Sequence, residues 1–261
     1  MLAAVLRRER AVVRLALLAV VLASWGWLLA GAGMGLDGLT MTRMSFPGAD
    51  HAGMETMRRP AWDAAYVALM LAMWWLMMLA MMLPGAAPAI LLFDAIGRRT
   101  AAGGSTLAFV AGYAVAWAGF SAVAVALQAA LQRNGLLTPM LLGHGAWLNG
   151  ALLVAAGLWQ LSPLKAVCLE HCRSPVGFLT RHWRGGAAGA LRLGLLHGAW
   201  CVACCWALML LLFVGGVMNL AWIAVLALLV LAEKTLPGGA RYARLAGVLC
   251  LLAGIAVLAG G

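Results

Sequence analysis

The stretch Gly194–Gly216, which reads GLLHGAWCVACCWALMLLLFVGG, combines two properties that seldom occur together. It is long and apolar enough for a membrane-spanning helix, which needs about 20 apolar residues. It also contains one histidine and three cysteines: His197, Cys201, Cys204 and Cys205. Residues three or four positions apart share one face of a helix. We therefore expect the histidine and the first two cysteines to form one stripe, with the third cysteine beside it.

One imidazole and two or three thiols are soft ligands that suit Cu(I) or Zn(II). Reactive polar groups at membrane depth are costly and usually have a function. The alternative is that the cysteines pack as small hydrophobic residues and that His197 bonds to a neighbour in a helical bundle. The spacing of all four favours a metal site, with Cu(I) as the first choice and Zn(II) as the second.

The composition places the whole chain in a lipid bilayer. Hydrophobic residues make up 65% and charged residues 10% of the sequence, whereas soluble domains contain about 25% charged residues. We predict an all-α, polytopic transmembrane bundle that forms a single domain over residues 1–261. About seven segments are long enough to span: 12–32, 62–83, 104–131, 138–161, 188–216, 219–236 and 242–260.

The net charge of +10 follows the positive-inside rule and does not indicate nucleic-acid binding. With a cytoplasmic N-terminus, only four basic residues fall in predicted outside segments: Arg43, Arg58, Arg59 and Arg133. The basic N-terminal region precedes a full-length span without a clear cleavage site, so a cleavable signal peptide is not expected. The sequence predicts a multi-pass protein of the bacterial cytoplasmic (inner) membrane.

Methionine is concentrated in a predicted outside loop at 33–60 and in the second span. Thioether sulfur is a soft ligand for Cu(I), although methionine also fills gaps in packed cores. In the second span, which we expect Pro84 to end, four methionines are candidate ligands that lie on or beside one stripe: Met70, Met73, Met77 and Met81. Two of them, Met73 and Met77, would reach the same membrane depth as the histidine–cysteine stripe.

A predicted cytoplasmic segment at 162–187 carries a second pair of thiols, Cys168 and Cys172, on one helical face. They could form a docking or transfer site for metal. Alternatively, the segment is an amphipathic helix on the membrane surface, where Lys165 and nearby arginines meet anionic lipid. Glu233 and Lys234 fall at the cytoplasmic border, where snorkelling and helix-end pairing account for them.

Four segments resemble a prokaryotic family of unknown function that is described as predicted metal-binding integral membrane proteins. They are AMMLP (80–84), QLSPLKAVCLEHCRSP (160–175), GLLHGAWCVACCWALM (194–209) and GVMNLAWIAVLALLVLAEK (216–234). One departure is Ala203, where related proteins often carry glycine. All candidate ligands remain in place.

Three functions stay open at this stage. The first is binding of a soft metal, Cu(I) above all, for transfer across the membrane or delivery to a metallochaperone or metalloenzyme. The second is a membrane thiol–disulfide oxidoreductase that uses Cys201/Cys204 and Cys168/Cys172. The third is a non-catalytic assembly partner of a metalloenzyme. The sequence has no nucleotide-binding glycine loop and no Ser–His–Asp set in a plausible place, so we do not expect nucleotide-dependent or hydrolytic catalysis.

Overall fold

Helices make up almost all of the part of the chain that the computed structural model describes, which is residues 2–46, 61–98, 105–138 and 141–260. They are α1 (Leu2–Leu29), α2 (Gly38–Met44), α3 (Ala64–Gly97), α4 (Thr106–Arg133), α5 (Ala146–Leu161), α6 (Pro163–Arg173), α7 (Pro175–His182), α8 (Gly186–Leu210), α9 (Leu212–Gly215), α10 (Leu220–Thr235) and α11 (Gly239–Gly260). Within these ranges there is no β-strand, which confirms the predicted all-α class.

Five helical segments are long and apolar enough to cross a membrane: Ala11–Leu29, Ala64–Gly97, Thr106–Arg133, Gly186–Gly215 and Gly239–Gly260. A sixth would be formed by α5 and α6 together, which are bent by 65° at Ser162. The predicted number of seven is not confirmed, because α10 has only 16 residues, fewer than the roughly 20 that a straight crossing needs.

Helix α3 is longer than expected and lies against α1, α4 and α10. We expected Pro84 to end it, but the helix continues through Pro84 and Pro88 to Gly97. Each proline removes one backbone hydrogen bond. Helices packed inside a membrane bundle tolerate this loss, because neighbouring helices and local adjustments can satisfy the freed carbonyl groups. The extra length carries α3 past the cysteines of α8.

Glycines bring α8 very close to α4. A Cβ atom on Gly194 would lie 1.9 Å from the carbonyl oxygen of Phe109, and one on Gly112 would lie 2.1 Å from the carbonyl oxygen of Leu191. Small residues allow helix backbones to approach in this way. Because α4 fits so tightly against one side of α8, the cysteine-bearing part of α8 is held within the bundle.

The two segments singled out by the sequence both contain helical structure. In the Met-rich segment, residues 38–44 form α2 and Met41 is buried, while residues 47–60 lie outside the described ranges. The segment at 162–187 forms α6 and α7. The expectation of a surface helix fails for Lys165, which is buried. Its side chain points into the protein because an acidic partner lies there, as described below.

Replacing Gly194 with alanine tests the close approach of α4 and α8. We expect Gly194→Ala to lower the free energy of unfolding by about 1–3 kcal/mol, since the added methyl group forces the backbones apart. The matched control is Gly119→Ala on the open side of α4, where a Cβ meets nothing within 4 Å. It should raise stability by about 0.5–1 kcal/mol. Unfolding in mixed detergent micelles, followed by circular dichroism, measures both, and equal effects would contradict the packing.

Candidate metal centre

The reactive side chains of α8 are all buried in the centre of the bundle. His197, Cys201, Cys204 and Cys205 are each at most 3% exposed. Four helices bring side chains to the cysteines: α3 with Met82, α4 with Tyr113, α6 with Cys172 and α10 with Lys234. The predicted stripe therefore faces the protein interior and not lipid.

Two sulfur–sulfur contacts are formed at this face. The Sγ atoms of Cys172 and Cys204 lie 3.8 Å apart, and the Sγ atom of Cys205 lies 3.8 Å from the Sδ atom of Met82. Two sulfurs bound to one tetrahedral ion at about 2.3 Å would be separated by about 3.8 Å. Each pair therefore already has the spacing of two ligands on one soft metal ion.

Lys234 is the main site residue that the sequence analysis placed wrongly. Its Nζ atom lies 2.9 Å from Cys201 Sγ and 3.7 Å from Met82 Sδ, and the side chain is buried. The hydroxyl of Tyr113 lies 3.1 Å from the same thiol. The long lysine side chain does not snorkel outward, because the thiol cluster gives its ammonium group polar partners inside the protein. The sequence signal for this inward position was that Lys234 ends a long, largely apolar run, LALLVLAEK (226–234).

The neighbouring Glu233 forms a second buried polar group with α5 and α6. Lys165 Nζ lies 2.7 Å from Glu233 Oε2 and donates to the carbonyl oxygen of Cys204 at 2.6 Å. Gln160 donates to the other carboxylate oxygen at 2.6 Å, and Arg173 donates to the Glu233 carbonyl. Both charged side chains of this pair are 1% exposed. Glu233 is thus paired near a helix end, as expected, but it is buried and does not snorkel to water.

His197 is surrounded by aromatic rings. Its ring centroid lies 6.0 Å from that of Phe109, 5.9 Å from that of Tyr113 and 5.3 Å from that of Phe178. The Nδ1 atom is buried and has no hydrogen-bond partner among the described residues. Buried polar atoms are normally paired, so this nitrogen, one turn before Cys201, is an exception to the usual pattern.

The other predicted ligands are buried but lie apart from the thiol contacts. Met70 accepts a hydrogen bond from Gln128 at 3.4 Å. Among the described residues, no hydrogen-bond-range contact joins the sulfur of Met73, Met77 or Met81 to a cysteine. On α3 it is Met82, about 100° around the helix from Met81, that contacts Cys205. Cys168 is buried on α6, one turn before Cys172.

No group of three or more histidine, cysteine, aspartate or glutamate side chains within the described ranges is close enough to hold a metal ion. The convergent atoms are instead two sulfur pairs, one of which includes a methionine. The six cysteines, all within those ranges, are free thiols.

A family model described as PpoB2, copper chaperone, matches residues 71–257. The match includes every residue of the sulfur pairs, Lys234 and the Lys165–Glu233 pair. Neither the curated proteins nor the solved structures contain a match. The copper association predicted from the ligand types is confirmed at the level of the family.

The buried pair of Lys165 and Glu233 should be strongly coupled. Lys165→Met alone leaves an uncompensated carboxylate and Glu233→Gln alone leaves an uncompensated ammonium, so each should cost about 3–5 kcal/mol of unfolding free energy. The double variant should cost much less than the sum of the two. Denaturation in mixed micelles measures the free energy of unfolding of the wild type, both single variants and the double variant. The control is Arg244→Met, which removes an exposed charge. Additive costs would show that the two charges do not interact.

Proposed function

Because this chain belongs to the PpoB2 copper chaperone family, we propose that it binds Cu(I) within the membrane through sulfur ligands and delivers it to a partner protein. The single observation that carries the proposal is the convergence of Cys172, Cys204, Cys205 and Met82 from three helices as two pairs at 3.8 Å. Thiolate and thioether ligands select Cu(I) among the biological metals. Zn(II) is disfavoured, because a neutral thioether is a poor ligand for it.

The first coordination partners in this proposal are the thiols of Cys204 and Cys172, with Cys201 and Cys205 on the same face of α8. Cysteine binds metal as the thiolate, so binding releases protons. Lys234 supplies a positive charge 2.9 Å from the Sγ atom of Cys201. This charge would offset the negative charge of thiolate ligands inside the protein.

The remaining candidate ligands have supporting places in this proposal. His197 offers an unpartnered nitrogen one turn from Cys201. On the other side of the centre, Cys172 is only half-buried and Cys168 lies one turn earlier on α6. Copper held between Cys204 and Cys172 could pass by thiol exchange along α6 to a metallochaperone or metalloenzyme. Met70, Met73, Met77 and Met81 line α3 nearby as a polarizable sulfur-rich wall.

We place the protein in the bacterial cytoplasmic membrane with its N-terminus inside. Support comes from the clustering of basic residues at one end of the bundle. The contact of Arg173 with the Glu233 carbonyl brings the end of α6 to the end of α10. Arg241 and Arg244 lie at the start of α11, a few residues after the end of α10 in the sequence. Positive charge concentrated at one end is typical of the cytoplasmic side.

Metal analysis of the purified protein tests the proposal directly. Protein prepared in detergent under anaerobic, reducing conditions and loaded with Cu(I) should retain copper close to one equivalent per chain, measured by mass spectrometry. Cys201→Ser/Cys204→Ser should lose it, because two soft ligands are replaced by hard hydroxyls. The matched control is Cys250→Ser on α11, which should bind normally. A wild-type protein that takes up no Cu(I) would refute copper binding.

Met82→Leu separates a ligand from a packing residue. We expect it to weaken Cu(I) affinity by at least about tenfold, or about 1.4 kcal/mol, because the thioether that contacts Cys205 is lost while volume is kept. Met41→Leu on α2, a buried methionine that has no part in the proposed centre, is the control and should leave affinity unchanged. Competition with a chromophoric Cu(I) chelator measures both. The same affinity loss in both variants would assign the effect to packing.

A thiol–disulfide oxidoreductase is the second candidate, and one contact favours it: Cys172 and Cys204 lie 3.8 Å apart as free thiols. A disulfide has an S–S distance of about 2.05 Å, so a shift of about 1.8 Å would join them. Disulfide mapping of metal-free protein after mild oxidation decides between the candidates. A Cys172–Cys204 or Cys201–Cys204 bond that forms and is reduced in turnover, without copper uptake, would favour the redox function.

A further inference from the structure

A basic cleft lies where α7 meets the start of α8. It has a volume of 310 Å³ and is lined by Arg181, His182, Trp183, Arg184, Gly189, Arg192, Leu193 and Leu196. That volume is at the lower end of the range of small-molecule sites, large enough for a phosphate-containing headgroup. Neither the family match nor the copper site accounts for it.

This cleft carries positive charge with no acidic ion-pair partner among the described residues. Its lining contains three arginines, and no acidic residue is among its described members. Within the described ranges, neither ion pair that the structure shows involves an arginine of the cleft. Three guanidinium groups around one concavity repel each other, and an anion between them would remove this repulsion. Arginine forks bind phosphate oxygens in bidentate fashion, which makes phosphate the fitting anion.

The rest of the cleft suits the headgroup of a lipid. Leu193 and Leu196 form an apolar wall, and the side chains of Leu191 and Leu195 are exposed on the same helix. Trp183 is half-buried and its ring packs against Phe93 at 5.2 Å, which fixes the link between α7 and α8. Basic residues beside a membrane-spanning helix attract anionic lipid headgroups, and α8 is long and apolar enough to span.

We propose that this cleft is a binding site for a phosphate-bearing anion, with the headgroup of an anionic phospholipid as the source that its apolar wall favours. Arg184 and Arg192, from the linker and from α8, hold the phosphate from two sides. The site does not depend on copper binding, because no residue of the cleft belongs to the sulfur pairs.

Native mass spectrometry tests the site on the full chain in neutral detergent. The probes are phosphatidylglycerol, phosphatidylcholine and inorganic phosphate, each titrated separately. The variant is Arg184→Gln/Arg192→Gln, and the matched control is Arg241→Gln/Arg244→Gln, which removes two exposed arginines at the start of α11. Thermal unfolding without added ligand checks that both variants fold, and copper content should be equal in all three proteins.

The wild type and the control should bind one phosphatidylglycerol in preference to phosphatidylcholine, and the cleft variant should bind it at least tenfold more weakly. This result supports a lipid headgroup site. Saturable binding of inorganic phosphate that is lost in the cleft variant, without a preference for phosphatidylglycerol, supports the same site with free phosphate as its source. Equal binding of both probes by the wild type and a folded cleft variant overturns the proposal.

Discussion

Two adjacent charged residues near the end of α10 hold the centre of this protein together. Glu233 pairs with Lys165 of α6, while Lys234 contacts Cys201 of α8. A charge inside an apolar bundle is tolerated only when it has partners, so each side chain fixes the position of the helix that it contacts. Lys165 also bonds to the Cys204 carbonyl and joins α6 to α8 directly. The contact between Cys172 and Cys204 depends on this arrangement.

The same arrangement explains why soft chemistry can occur at membrane depth. Thiols in a low-dielectric interior resist deprotonation, and a metal bound only by thiolates would leave net negative charge in lipid. The ammonium of Lys234 offsets that charge, and the thioether of Met82 adds a ligand without charge. The α3–α4 contact also pairs its buried polar groups, with Trp74 donating to Gln128 and Gln128 donating to Met70.

Helix α8 contributes residues both to the basic cleft and to the cysteine cluster. Its first part lines the basic cleft with Arg192. His197 follows about one and a half turns later, and Cys205 about three and a half turns later. Phe178 of α7 packs against His197, so the segment beside the cleft also contacts the centre. Glycines hold α8 tightly against α4. A headgroup that anchors the start of α8 would thus act on a rigid element and not on a flexible loop.

The helical class, most of the candidate spanning segments and the shared face of His197 and the α8 cysteines could be predicted from the sequence alone. These properties follow from local periodicity and composition, which one segment carries on its own. The contacts between helices could not be predicted in this way: Met82 rather than Met81 meets Cys205, Cys172 lies beside Cys204, and the side chains of Lys165, Glu233 and Lys234 point inward. A periodic pattern shows that a helix has a face to bury, but not which helix meets that face. Likewise, a lysine near a helix end can reach water or an inward partner, and only the packing of distant segments determines which one it meets.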